Sequence, residues 1–188
     1  LELTNYWIFI NKTFVMSIFK SYFSKNNTII SDSYTNTAKN PVSELFYGGF
    51  HTRFLLQIDL SELIHKITDG YINTNSIEKH ILKLTNTINP TENSYFNEIT
   101  SLNSKRATSF DLIVFKVNQE WDEGVGKEAD DPKTTDGCSW LYRKNRDGVS
   151  EISWTTPGGT YIAGDEVTQS FSSESPDINM NITTMAKK

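Results

Sequence analysis

The stretch Arg53-Phe54-Leu55-Leu56-Gln57-Ile58-Asp59-Leu60 decides the fold class. Phe54, Leu56, Ile58 and Leu60 fall on one face, while Arg53, Gln57 and Asp59, with Leu55 among them, fall on the other. A period of two is the signature of a strand buried on one side, because successive side chains point to opposite faces of a sheet. The apolar foursome marks the face expected to be buried. Ser61-Glu62-Leu63-Ile64-His65-Lys66 follows, a serine ahead of a mixed polar and apolar run, which predicts one helical or 3₁₀ turn.

Outward from this strand the chain keeps offering short β-prone segments. Ser109-Phe110-Asp111-Leu112-Ile113-Val114-Phe115-Lys116-Val117 is rich in β-branched and aromatic residues, and predicts a central strand buried on both faces. Ile77 to Ile88 fits strand or helix by period alone; its neighbours and its β-prone end favour strand. Asn89 to Ser104, with Pro90 and many Asn and Ser, reads as a long surface loop. Trp140-Leu141-Tyr142-Arg143 and Val149 to Trp154 flank Asn145-Arg146-Asp147-Gly148, whose Asp-Gly pair predicts a hairpin. A second turn is expected at Pro157-Gly158-Gly159. Ile178 to Met185 alternates Ile178, Met180 and Ile182 with Asn179, Asn181 and Thr183, and so predicts a last strand. No fixed-period repeat is present. Many short strands without a long amphipathic helix predict a mostly β fold, an antiparallel β-sandwich or jelly roll with long loops.

The chain divides into an N-terminal extension, residues 1–24, and a β-sandwich domain, residues 25–188. Met16-Ser17-Ile18-Phe19 resembles an ordinary protein start, so residues 1–15 are read as lying upstream of the true start or as the result of internal cleavage. Among 188 residues, 11 Phe, 8 Tyr and 4 Trp supply enough large apolar side chains for a packed core. With 18 basic against 23 acidic residues the net charge is -5, which removes global attraction to phosphate backbones and with it a nucleic-acid partner. The apolar run Tyr6-Trp7-Ile8-Phe9-Ile10 is broken by Asn11 and Lys12, far short of the roughly 20 residues of a membrane span. It is also too short for the apolar region of an export signal.

Catalytic signatures are missing from the sequence. It has no Gly-x-Ser-x-Gly elbow, phosphate-binding loop or His-Glu-x-x-His pair, and its histidines, His51, His65 and His80, are scattered, so a non-enzyme is expected. The lone Cys138 has no partner for an internal disulfide and no zinc-ligand spacing, and reads as a small buried side chain. Two features are candidates for binding. Asp122, Glu123, Asp130, Asp131 and Asp136 sit in or beside an acidic loop and offer hard oxygen ligands for calcium, without the alternation of an EF-hand. No other cofactor is expected. Trp140, Tyr142 and Trp154, with Trp121, have flat apolar faces on which sugar rings can stack; packing inside a core is the competing reading.

Several motifs recur in a characteristic order. They are Asn40-Pro41-Val42-Ser43-Glu44-Leu45-Phe46-Tyr47-Gly48, Arg53-Phe54-Leu55-Leu56-Gln57-Ile58-Asp59-Leu60-Ser61, Glu120-Trp121-Asp122-Glu123-Gly124, Gly137-Cys138-Ser139-Trp140, Trp154-x-x-Pro157-Gly158-Gly159-x-Tyr161, and Asp177-Ile178-Asn179-Met180-Asn181-Ile182-Thr183. From about Asn27 to the C-terminus this series resembles the DNRLRE-type domain, a β-sandwich related to a family of carbohydrate-binding modules and also found in bacteriophage virion proteins. Gln57 and Ile58 depart from the Arg and Phe commoner in that family. The family pattern continues into a further Trp and a closing strand, so the resemblance implies a domain lacking its last strand, either as a fragment of a longer protein or with that strand supplied by a neighbouring subunit.

The resemblance implies a virion structural protein, a tail, fibre, baseplate or collar component. It would be located in the virion and act as an interaction or adhesion module on other virion proteins, copies of itself or a host-surface glycan. The alternative it carries is a carbohydrate-binding module of a secreted polysaccharide-degrading protein.

Overall fold

The computed structural model describes residues 6–10, 12–16, 18–77, 79–85, 109–146, 148–172 and 177–186. The long surface loop expected at 89–104 lies outside them. The described chain is mostly β, with 38% of residues in strands and 10% in helices.

The deciding stretch forms a strand, with Leu55, outside the expected apolar face, as its most buried residue. Numbering strands in chain order, β1 is Tyr6–Ile10, β2 Lys12–Met16, β3 Phe23–Ile30 and β4 Thr52–Ile58. β3 and β4 pair antiparallel, Ile30 opposite Thr52 and Asn26 opposite Leu56, with an irregularity between Phe23 and Lys25. Leu55 is the buried residue of β4, whereas Phe54 and Leu56 are half-buried and Leu60 is exposed. The period of two was legible, but the burial of Leu55 was not, because Arg53, which shares its face, is accommodated by a specific partner. Its Nη1 donates to Gly158 O at 2.7 Å and its guanidinium lies 4.9 Å from the centroid of the Trp140 ring. A charge so satisfied can face inward beside a leucine.

After β4 the chain turns into α1, Ser61–Thr68, two turns where one was expected. Ser61 does not cap it. The Ser61 amide and hydroxyl donate instead to Asp59 Oδ1, at 2.9 and 2.6 Å, so Asp59 anchors the turn. β5 is Ile81–Thr85, β6 Ser109–Val117, β7 Tyr142–Asn145, β8 Glu151–Ser153, β9 Tyr161–Ser172 and β10 Asp177–Asn181. The described strands form five antiparallel pairs: β1 with β2, β3 with β4, β5 with β10, β6 with β9 and β7 with β8. The hairpin expected at Asn145 to Gly148 is the β7–β8 pair, Asn145 opposite Glu151.

Two expectations are corrected. β6 is not a central strand buried on both faces: it pairs with β9 alone among the described strands, and Ile113 is exposed. The last strand stops at Asn181, and Thr183–Ala186 forms a short helix, α2. The Asn181 side chain ends the strand by accepting from the Thr183 amide and hydroxyl, the local bonding by which Asn initiates turns. At the other end, β1 and β2 lie within the expected extension 1–24, and β3 begins at Phe23, two residues ahead of the expected boundary.

The core is small and gathers distant segments. Ile29 of β3, Leu55 of β4, Trp121, Cys138 and Trp154 pack together, with Val117 and Trp140 against them. Four of these residues come from irregular segments, and three of them, Trp121, Cys138 and Trp140, lie on the long connection between β6 and β7, which is therefore a structural part of the core.

Candidate interaction surface

The connection between β6 and β7 is held by buried asparagines. Asn36 is fully buried; its Nδ2 donates to Glu123 O at 2.7 Å and Cys138 O at 3.0 Å, and its Oδ1 accepts from the amides of Gly126 and Ala38. Asn27, also fully buried, donates to Cys138 O and Sγ, both at 2.9 Å, and accepts from the amide of Thr37. A carboxamide offers two donors and an acceptor with two lone pairs, enough to satisfy several loop backbone groups far from water. Gly124 and Gly137 have φ of +84° and +96°, and a Cβ on either would run into Asn36 Nδ2, at 2.5 and 2.8 Å. The Trp-Asp-Glu-Gly-x-Gly and Gly-Cys-Ser-Trp runs are therefore the walls of an asparagine cradle.

This arrangement engages most of the acidic residues considered for calcium. Burial pushes the Glu123 carboxyl up, but the hydrogen bonds from Lys39 and the Asn26 amide and the charges of Lys39 and Lys25 outweigh it and hold it below its ordinary value. Lys39 Nζ lies 2.7 Å from Glu123 Oε2, and the Asn26 amide 3.1 Å from Oε1. That amide belongs to β3 and is bonded away from β4, so Glu123 covers part of a sheet edge. Asp130 Oδ2 accepts from the Lys127 amide and Thr134 hydroxyl, both at 2.8 Å, which keeps its carboxyl below the ordinary range. Asp122 faces Lys144 at 3.4 Å, Asp131 is exposed beside Pro132, and Asp136 is half-buried next to the cradle. Among the described residues no three His, Cys, Asp or Glu gather as a metal-holding group.

The aromatic trio is also split. Trp154 is buried, with its Nε1 donating to Ser139 O at 3.0 Å, and belongs to the core. Trp140 is half-buried, one side taken by Arg53, with His51 meeting its ring edge-on at a centroid distance of 4.9 Å. Tyr142 lies 6.1 Å from the Tyr34 ring, and a hydrogen bond with Glu151, followed by burial, pushes its phenol up. These residues do not make one flat exposed array. Burial likewise pushes the Cys138 thiol up to about 12, so it stays protonated and unreactive at neutral pH.

The exposed apolar surface lies elsewhere, on the connection between β3 and β4. Val42, Leu45, Phe46, Tyr47 and Phe50 are all exposed, Tyr47 at 91%. Phe46 and Phe50 stack at 4.6 Å between centroids, and the Tyr47 ring lies 6.0 Å from His51, which continues the series toward Trp140 and Arg53. A Cβ at Gly48 would meet the Phe46 ring at 2.8 Å, so this glycine lets the loop fold tightly over that ring. Further large apolar side chains stand out at Tyr22, Leu60, Ile64 and Tyr71. Sequence reasoning named none of the loop aromatics as a site. The available signal was Phe46, Tyr47 and Phe50 crowded around Gly48-Gly49, a turn that cannot bury its own side chains.

Comparison with family models, curated proteins and solved structures finds no match to this chain. Among the described residues no helix is long and apolar enough to cross a membrane.

Proposed function

We propose that this chain is a structural and interaction module of a bacteriophage virion, a tail, fibre, baseplate or collar component without catalytic apparatus of its own. In this reading its strand pairs belong to the sandwich or jelly roll that its motif series implies, and it is located in the particle. The single observation that carries the reading is the 41–51 connection, which holds five exposed large apolar side chains on a base tied down by the hydrogen bonds of Ser31 and Thr52. Contiguous exposed aromatic surface on a rigid support is what a protein interface uses, since aromatics bring large contact area at small entropic loss. Other virion proteins and copies of this chain are the partners in view.

The test is the composition of purified particles of the virus that encodes the chain. Mass spectrometry is expected to find it in stoichiometric, repeated copies, and antibodies against Tyr47 and its neighbours should label the particle only after partial disassembly. Absence of the chain from washed particles overturns the reading. The glycan-binding alternative is left with Tyr47 and Trp140 as its platform, because Trp154 is buried. Glycan binding abolished by Tyr47→Ala, with no particle association, would establish that alternative instead.

A further inference from the structure

A cleft of about 50 Å³ opens at the base of the 41–51 connection. Thr28, Ile30 and Thr37 line it from the side of β3, the stacked Phe46 and Phe50 from the loop, and Glu44 and Glu128 complete its rim. Its inner polar groups are committed within the chain. The Thr37 hydroxyl donates to Thr28 O at 2.6 Å, the Thr52 hydroxyl donates to Glu44 O at 2.7 Å, and Asn40 Oδ1 accepts from the Glu128 amide at 2.9 Å. The two carboxylates are not committed: among the described residues neither the Glu44 nor the Glu128 side chain has a hydrogen bond or ion pair. Lys133 reaches the carbonyl of Glu128 and not its carboxylate.

Two anionic groups beside an aromatic pair favour a compact cation, through direct attraction and through the negative face of an aryl ring. The space is well below the several hundred Å³ that enclose a whole small molecule. It suits a head group carried by something larger. We propose that the cleft receives the ammonium or guanidinium end of a lysine or arginine side chain presented by a protein partner. The proposal rests on the interaction-module reading and adds the chemistry that the partner must bring.

The experiment uses the full chain, isotope-labelled for NMR, titrated with blocked lysine (Nα-acetyl-lysine methylamide), with the matching norleucine derivative as uncharged control and with putrescine as a free diamine. Blocked lysine is expected to give saturable shifts at the Thr28, Thr37, Thr52 and Glu128 amides, weakened by salt. Norleucine should give none, and the Glu44→Gln/Glu128→Gln double variant should bind at least about tenfold more weakly. That variant should melt with the parent, since both carboxylates are exposed and unpaired; if it does not, Phe46→Leu serves as the second variant, with the same weakening expected. Equal binding of norleucine, unchanged binding in the variants, or no shift at the cleft overturns the proposal. Putrescine binding about tenfold tighter than blocked lysine overturns its protein-borne part in favour of a free amine. Particle incorporation is scored separately: incorporation that survives the double variant removes the cleft from the interface and leaves the module reading standing.

Discussion

From a fully buried position, Asn36 joins four backbone groups from three segments. Asn36→Leu keeps the volume but strands the amides of Ala38 and Gly126 and the carbonyl of Glu123, while Cys138 O keeps its bond from Asn27, so it should destabilise the fold by about 3 kcal/mol. Urea denaturation measures this, and a loss below about 1 kcal/mol would remove the cradle from the account. Cys138 gives a pH prediction at the same scale. The unfolded chain releases the thiol proton near 9.0, whereas the folded one holds it to about 12. The folded state therefore binds more protons in that window, so the contribution is level below it and stability falls as pH rises through it, by at most about tenfold in the folding equilibrium per pH unit. Comparing denaturation midpoints of the parent and Cys138→Ala across the window isolates this effect from other groups. A parent curve no steeper than the variant's would rule it out. Neither residue stands out in the sequence: an asparagine in a polar run and a single cysteine look ordinary until the segments that meet them are known.

Between elements, the decisive contacts join β3 to the irregular connection between β6 and β7. Glu123 is the outer bolt, tying Lys39 and the Asn26 amide. Its carboxyl is held below the ordinary 4.5, so its contribution is complete above that value and lost as pH falls through the lowered one. Glu123→Gln should lower stability by about 1 kcal/mol, or roughly 2–4 °C in a chain of this size, and flatten the acid limb of the melting profile. An acid limb identical in parent and variant would contradict this. The aromatics divide on the same principle. Trp154→Ala should cost about 3–5 kcal/mol because it opens the core. Trp140→Ala, which removes a half-buried ring from Arg53, should cost clearly less. Chemical denaturation of both variants checks the order, and the reverse order would place Trp140 in the core. The strand β4 carries the lesson for sequence reading: its alternation was plain, yet Leu55 is buried through partners that include Trp121, Cys138 and Trp154, far away in the chain.

For the whole molecule, stability and interaction surface occupy different places. The cradle and the small core hold the fold, while the 41–51 connection presents Tyr47 and Phe50 to solvent. The double change Tyr47→Ser/Phe50→Ser should therefore leave thermal melting within a few degrees of the parent. It should weaken association with the partner protein, or with a second copy, by tenfold or more, as expected when aromatic anchors are removed. Calorimetry and sedimentation measure the two effects. A large drop in melting temperature with unchanged association would assign these rings to folding instead.

The sequence by itself determined the β class, the strand positions around Arg53 to Leu60, Ser109 to Val117 and Ile178 to Asn181, and the hairpin turn before Gly148, because period and turn chemistry act over a few neighbouring residues. It also determined that no familiar catalytic motif is written in the chain. The burial of Leu55 in β4, the burial of Trp154, the dispersal of the five acidic side chains and the exposure of the loop aromatics were decided only by the tertiary structure. Each depends on which distant segment supplies a hydrogen bond, a counter-charge or a covering side chain, and that is set by long-range packing and not by local pattern.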